Sequence, residues 1–152
     1  MPHREIDHSE RGAMAAAISR STVQLLSEYT GRGPTKARAY ISQDLISVVL
    51  RDTMSQGERS LFREGKPELV LAVRKAYQDT MGPALIEAVE RHSGQRVVAF
   101  LSDNHLDPDI AVESFVMENG RNGDGPAADG NGATGVDGRA DGHLAASDGA
   151  AG

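Results

Sequence analysis

Apolar residues recur at helical spacing after Asp7, where Met14, Ile18, Leu25, Leu26 and Tyr29 mark one face of a helix over roughly residues 8 to 30. Asp7 and Glu10 have the spacing of a capping box. Gly31 offers a left-handed cap and Pro34 bars continuation. From Lys36 the period drops to two. Ala37, Ala39 and Ile41 fall on one side and Lys36, Arg38, Tyr40 and Ser42 on the other, and Ile46, Val48 and Leu50 then share one side of a run from Leu45 to Asp52. Gln43 and Asp44 leave room only for a tight turn, so this is a hairpin.

Ser55 with Glu58 is a second capping box, opening a short helix that Gly65 stops. Pro67 suits the first turn of a third helix, in which Leu69, Val70, Val73, Tyr77 and Met81 continue along one face. Leu85, Ile86 and Val89 resume the period beyond Gly82-Pro83, which predicts one long kinked helix ending at Gly94. A second hairpin follows. Val97, Ala99 and Leu101 alternate with Val98 and Phe100, and Ile110, Val112, Ser114 and Val116 alternate with Ala111, Glu113, Phe115 and Met117. The polar stretch from Asp103 to Asp109 connects the two strands. The order α-β-β-α-α-β-β predicts a two-layer α+β fold, with a four-stranded antiparallel sheet built from two hairpins and the helices on one face. AYIS at residues 39–42 echoes AFLS at residues 99–102, a similarity that chance explains better than duplication of an α-β-β unit.

Composition divides the chain. Residues 119–152 hold ten of the 17 glycines and only Val136 and Leu144 as sizeable apolar residues, too little to offset the cost of ordering a backbone, so a disordered tail is expected there. Residues 1–7 read as an N-terminal extension and residues 8–118 as the domain. The formal charge of -6 is shared equally between the tail and the remainder. A mildly acidic domain argues against a general nucleic-acid binder. Without cysteine there are no disulfides, thiolate metal sites or cysteine nucleophiles. No apolar run approaches a membrane span, and the first residues lack the apolar centre of a secretory signal, so a soluble cytoplasmic protein is expected.

Three stretches raise the question of chemistry. GRGPTK resembles a phosphate loop, but its glycines follow a helix and lead into a strand, the reverse of the order that turns helix amides toward a phosphate. It reads as a helix cap and turn, leaving Arg32, Lys36 and Arg38, with Arg51 or Arg96, as candidate anion-binding residues. SDNHLDPD places Asp103, His105, Asp107 and Asp109 at alternate positions. A carboxylate and histidine set of this kind can hold a divalent ion, although Pro108 and Ser114 stand where a calcium loop needs Gly and Glu, so a solvated turn is favoured. Ser102, Asp103 and His105 lie too close together for a catalytic relay and lack a nucleophile elbow. His92 sits in the last turn of the long helix, where an imidazolium suits the dipole.

A helix, then GRGPTKARAYISQDLISVVLRDTMSQGE, then a long helix ending ERHSG and a hairpin running from VVAFLSD to ESFVME is similar to the MpsC domain of the Na+-translocating membrane potential-generating system. The resemblance covers about residues 10 to 118. It rests on Gly31, Gly33 and Pro34 at the entry to the first hairpin, on the capping-box helix, and on Ser102 and Asp103 after the third strand. These residues mark membership; the resemblance supplies no catalytic set. It implies a soluble, non-enzymatic accessory or regulatory module, without membrane insertion or cofactor, that is expected to be a homodimer and to meet a membrane transport component. Anion or nucleic-acid binding through Arg32, Lys36 and Arg38 is the alternative. Metal binding through Asp103 to Asp109 is the second.

Overall fold

A computed structural model of the chain describes residues 7–118. The expected tail, and all but the last residue of the expected extension, lie outside them. The elements are α1 (His8–Thr30), β1 (Lys36–Ile41), β2 (Leu45–Arg51), α2 (Gln56–Arg63), α3 (Pro67–Ser93), β3 (Val97–His105) and β4 (Ile110–Met117). The fold is α+β in the expected order. The strands form one antiparallel sheet in the order β1-β2-β4-β3. Helices α1 and α3 pack on each other, α1 also meets β1, α3 also meets β3, and α2 lies on α3. The core between these layers gathers Ile18 and Leu26 from α1, Met81, Leu85 and Val89 from α3, and Ile46, Val48, Leu50, Phe115 and Met117 from the sheet. Phe115 is fully buried, and its ring centroid lies 5.1 Å from that of Phe100.

The helix ends show which local signals act. At Ser55 the capping box is complete: the hydroxyl accepts from the Glu58 amide at 3.1 Å, and the Glu58 carboxylate accepts from the Ser55 amide at 2.7 Å. At Asp7 it does not form, since the Asp7 side chain makes no capping hydrogen bond. Packing of Ile18, Thr22 and Leu26 at successive intervals of four fixes α1 instead. Gly31 caps α1 at φ 77°, donating its amide to the Ser27 carbonyl at 2.9 Å.

Gly33 serves another need. The chain passes so close to α1 that a Cβ at Gly33 would stand 2.6 Å from Ser27 Oγ. Gly33→Ala is therefore expected to turn the Ser27 hydroxyl away from the Val23 carbonyl, to which it donates at 2.9 Å, and to lower unfolding stability by about 1 kcal/mol or less in urea denaturation. Adding Ser27→Ala, which removes the clashing oxygen, is expected to restore most of that loss.

Helix α3 runs unbroken through Pro83, as the periodicity predicts. Its buried face agrees with the predicted one at Val70 and Met81 and departs from it between them. Leu69, Val73 and Tyr77 are exposed, and the positions turned inward before Met81 are Val70, Arg74 and Gln78. The first half of the helix covers polar groups of the sheet, so the apolar stripe there faces outward.

The second hairpin also departs from expectation. Strand β3 continues to His105, so the connection is Leu106 to Asp109, with a cis Asp107–Pro108 peptide, and not the whole stretch from Asp103. A register shift between Val97 and Ala99 breaks the simple alternation. Val97 and Phe100 both pack against the core, and Val98, Ala99 and Leu101 are exposed.

Exchanging α1-β1-β2 with α3-β3-β4 leaves the strand order unchanged. The AYIS and AFLS echo does not follow this relation, because Ala39 is buried where Ala99 is exposed, and Tyr40 faces out where Phe100 faces in. The match is a coincidence of sequence.

Candidate functional site: a polar chamber under α3

On β4 the inward positions are Ala111, Glu113, Phe115 and Met117. Strict alternation thus carries a carboxylate into the interior of a central strand, where Glu113 is 1% exposed. A buried carboxylate needs partners, and the first half of α3 brings them. Arg74 and Gln78, one helical turn apart, both point at the sheet. Arg74 Nη1 donates to Asn104 Oδ1 at 3.0 Å, Asn104 Nδ2 donates to Gln78 Oε1 at 3.1 Å, and Gln78 Nε2 donates to Glu113 Oε1 at 3.3 Å. The donors run one way, from cation to carboxylate.

Arg74 is held from its other sides by two carboxylates. Its Nε lies 3.5 Å from Glu58 Oε1 and its Nη2 lies 3.6 Å from Asp109 Oδ1. Each of these acids has a second structural duty. Glu58 closes the capping box of α2, and Asp109 accepts from Thr53 Oγ1 at 2.9 Å and from the Met54 amide at 2.7 Å. The segment between β2 and α2 is thereby tied to the β3–β4 turn.

Among the described residues Arg74 Nε, Ser102 Oγ and Glu113 Oε2 are buried without a hydrogen bond of ordinary geometry, while Ser102, directly across from Glu113 in the β3–β4 register, keeps its hydroxyl near enough to act on the carboxylate. Burial pushes the Glu113 carboxyl up from 4.5 to about 7, against the opposing pull of the Ser102 hydroxyl, the Gln78 amide and the Arg74 charge. A cavity of about 110 Å³ opens at this point, lined by Glu58, Arg74, Gln78, Asn104 and Glu113, with Leu26, Leu50, Val73, Tyr77 and Met81 among its apolar walls.

The residues singled out from sequence fall elsewhere. Asp103 and His105 lie on the outer, exposed side of β3, where Asp103 accepts from the Asn104 amide and His105 Nδ1 lies 2.8 Å from the Pro108 carbonyl oxygen. Asp107 is exposed in the turn, while Asp109 turns to Arg74. Among the described residues no group of three or more His, Asp or Glu is placed to hold a metal ion. The alternate spacing that suggested a loop of ligands belongs partly to a strand, and its last carboxylate is engaged by a guanidinium.

Arg32 donates to the Met54 carbonyl and so braces the β2–α2 segment. Lys36, Arg38 and Arg51 share the outer face of the β1–β2 edge, with Lys36 directly opposite Arg51 and Arg38 5.2 Å from the centre of the Tyr40 ring. Arg96 precedes β3, at the other edge of the sheet. His92 lies in the last turn of α3, and its Nε2 is 2.8 Å from Ser21 Oγ, joining α3 to α1.

Among the described residues no helix covers the outer face of the sheet. In register across it run Arg38, Val49, Val112 and Asp103, and beside them Tyr40, Ser47, Ser114 and Leu101. Ser47 Oγ and Ser114 Oγ lie 3.0 Å apart at its centre.

The model of the family described as Na+-translocating membrane potential-generating system (MpsC) matches residues 10–119. The chain belongs to the MpsC family. No curated protein and no solved structure matches it. The match spans every strand of this MpsC domain, all of α2 and α3 and nearly all of α1, so the chamber and the outer sheet face are both parts of the family domain. Among the described residues no helix is long and apolar enough to cross a membrane.

Proposed function

We propose that this MpsC domain is a non-catalytic accessory or regulatory subunit of a Na+-translocating membrane potential-generating system, acting from the cytoplasm as a homodimer. The family match over residues 10–119 carries the reading. A domain whose described helices do not span a bilayer takes such a part beside a component that does.

The outer sheet face suits a second copy of the same chain. Turning one copy about an axis along the strands lays the β1 edge of each over the β3 edge of the other. That brings Arg38 over Asp103 and Tyr40 over Leu101, with Val49 and Val112 between. The Arg38–Asp103 pair at each edge, with Val49 and Val112 and the Ser47 and Ser114 hydroxyls between, makes these rows complementary to themselves.

The test joins assembly to function. Arg38→Asp and Asp103→Arg are each expected to shift the protein toward monomer in light scattering, and the two together to restore the dimer. In membrane vesicles from cells lacking this chain, Na+-dependent potential is expected to fall. It should return with the wild-type chain and the double variant, but less with either single variant. A wild-type monomer would end the dimer reading, and an unchanged potential without the chain would end the accessory reading.

A further inference from the structure

We infer that the chamber beneath the first half of α3 is a binding site for a small organic cation bearing N–H donors, of the alkylammonium class, with Glu113 as its counter-charge. The charges around the cavity do not balance internally. Glu58 and Asp109 both face Arg74, whose remaining contact is the Asn104 amide oxygen. That set already pairs one guanidinium with two carboxylates. Glu113, at the opposite end of the amide series, has the Gln78 amide on Oε1 and the neutral Ser102 hydroxyl nearby, and among the described residues no cation is hydrogen-bonded to it.

An anion entering here would meet an excess of carboxylates; Arg74 Nε makes no hydrogen bond, but it lies 3.5 Å from the Glu58 carboxylate, which would repel the anion. An ammonium group would give Glu113 Oε2 a charge-assisted hydrogen bond that no described residue supplies, and bonds of this kind are the stronger sort. The cavity is also the right kind of space. Its volume of about 110 Å³ exceeds the roughly 10 to 15 Å³ that one water requires, which leaves room for a molecule of several heavy atoms. Its walls include Leu26, Leu50 and Met81, suited to a short alkyl chain. Val73 and Tyr77, both exposed on α3, place an apolar rim and an aromatic ring at the cavity edge.

The experiment is an amide-resolved NMR titration of the full chain at pH 8 with n-propylammonium chloride, alongside sodium propionate and sodium chloride at equal ionic strength. Propylammonium is expected to give saturable shifts at the amides of Arg74, Gln78, Asn104 and Glu113, and the two sodium salts none. Glu113→Gln, which keeps an acceptor for Gln78, is expected to weaken binding about tenfold or more. Val73→Phe, a change at an exposed helix position, is expected to narrow the cavity edge and weaken binding without touching any carboxylate. Absence of saturable shifts would overturn the inference. So would equal binding by Glu113→Gln, or binding of propionate or of sodium ion in place of the ammonium.

Discussion

Replacing Glu113 with Gln is expected to stabilise the domain at pH 8 by on the order of 3 kcal/mol while leaving its stability near pH 4 almost unchanged. Burial raises the Glu113 carboxyl from 4.5 to about 7 in the folded protein. Between those values the native state keeps a proton that the unfolded chain has released, so stability falls as pH rises through that window and levels off above about 7. The contribution is fully present below about pH 4.5 and is lost on the alkaline side. Gln fills the same space, still accepts from Gln78 and does not ionise. Urea unfolding of both proteins from pH 4 to 8 measures the effect as a difference between two curves, which removes the titrations they share. A variant that follows the wild-type slope throughout would show that Glu113 is solvated in the folded protein.

Arg74→Leu is expected to have the opposite sign and a larger size, a loss of about 3 to 5 kcal/mol. The guanidinium is buried among Glu58, Asp109 and Asn104, and its removal leaves two little-exposed carboxylates facing an apolar side chain. The loss reflects stranded partners more than a missing attraction. Arg74→Leu combined with Glu58→Gln and Asp109→Asn is therefore expected to be more stable than Arg74→Leu alone. Arg74→Lys keeps the charge but cannot reach Glu58, Asp109 and Asn104 together, so an intermediate loss is expected. Denaturant midpoints with unchanged slopes are the measurement. A loss below about 1 kcal/mol in Arg74→Leu would mean that water screens the cluster.

The same cluster explains where the sequence was readable and where it was not. Periodicity placed α1, α3 and the four strands, each of which has an apolar face somewhere along its length, and the capping box at Ser55 with the stop at Gly65 placed α2, which buries no residue. It misplaced the inner face of α3 before Met81, because hydrophobic periodicity assumes that burial is apolar. Here Arg74 and Gln78 are buried against polar groups of the sheet, and Leu69, Val73 and Tyr77 are left outside.

Glu113 was visible as a member of the set Ala111, Glu113, Phe115, Met117. That set holds the strand's only acid together with two of its large apolar side chains, Phe115 and Met117. Strand alternation forces all four to one side, so a carboxylate sharing the phase of Phe and Met was the available signal. Its partners could not be found the same way. Asn104 reaches the chamber only because β3 extends beyond Asp103, and Arg74 lies 30 residues earlier in the chain. The acidic stretch from Asp103 to Asp109 drew attention by its spacing, yet the strand turns Asp103 outward and Asp109 serves Arg74.

The one-way series from Arg74 through Asn104 and Gln78 to Glu113 has a consequence for selectivity. Each amide gives one hydrogen bond forward and accepts one from behind, so neither can turn over without breaking two at once. The polarity of the chamber wall is thus set before any guest arrives, and discrimination comes from a fixed template rather than from side chains that adjust.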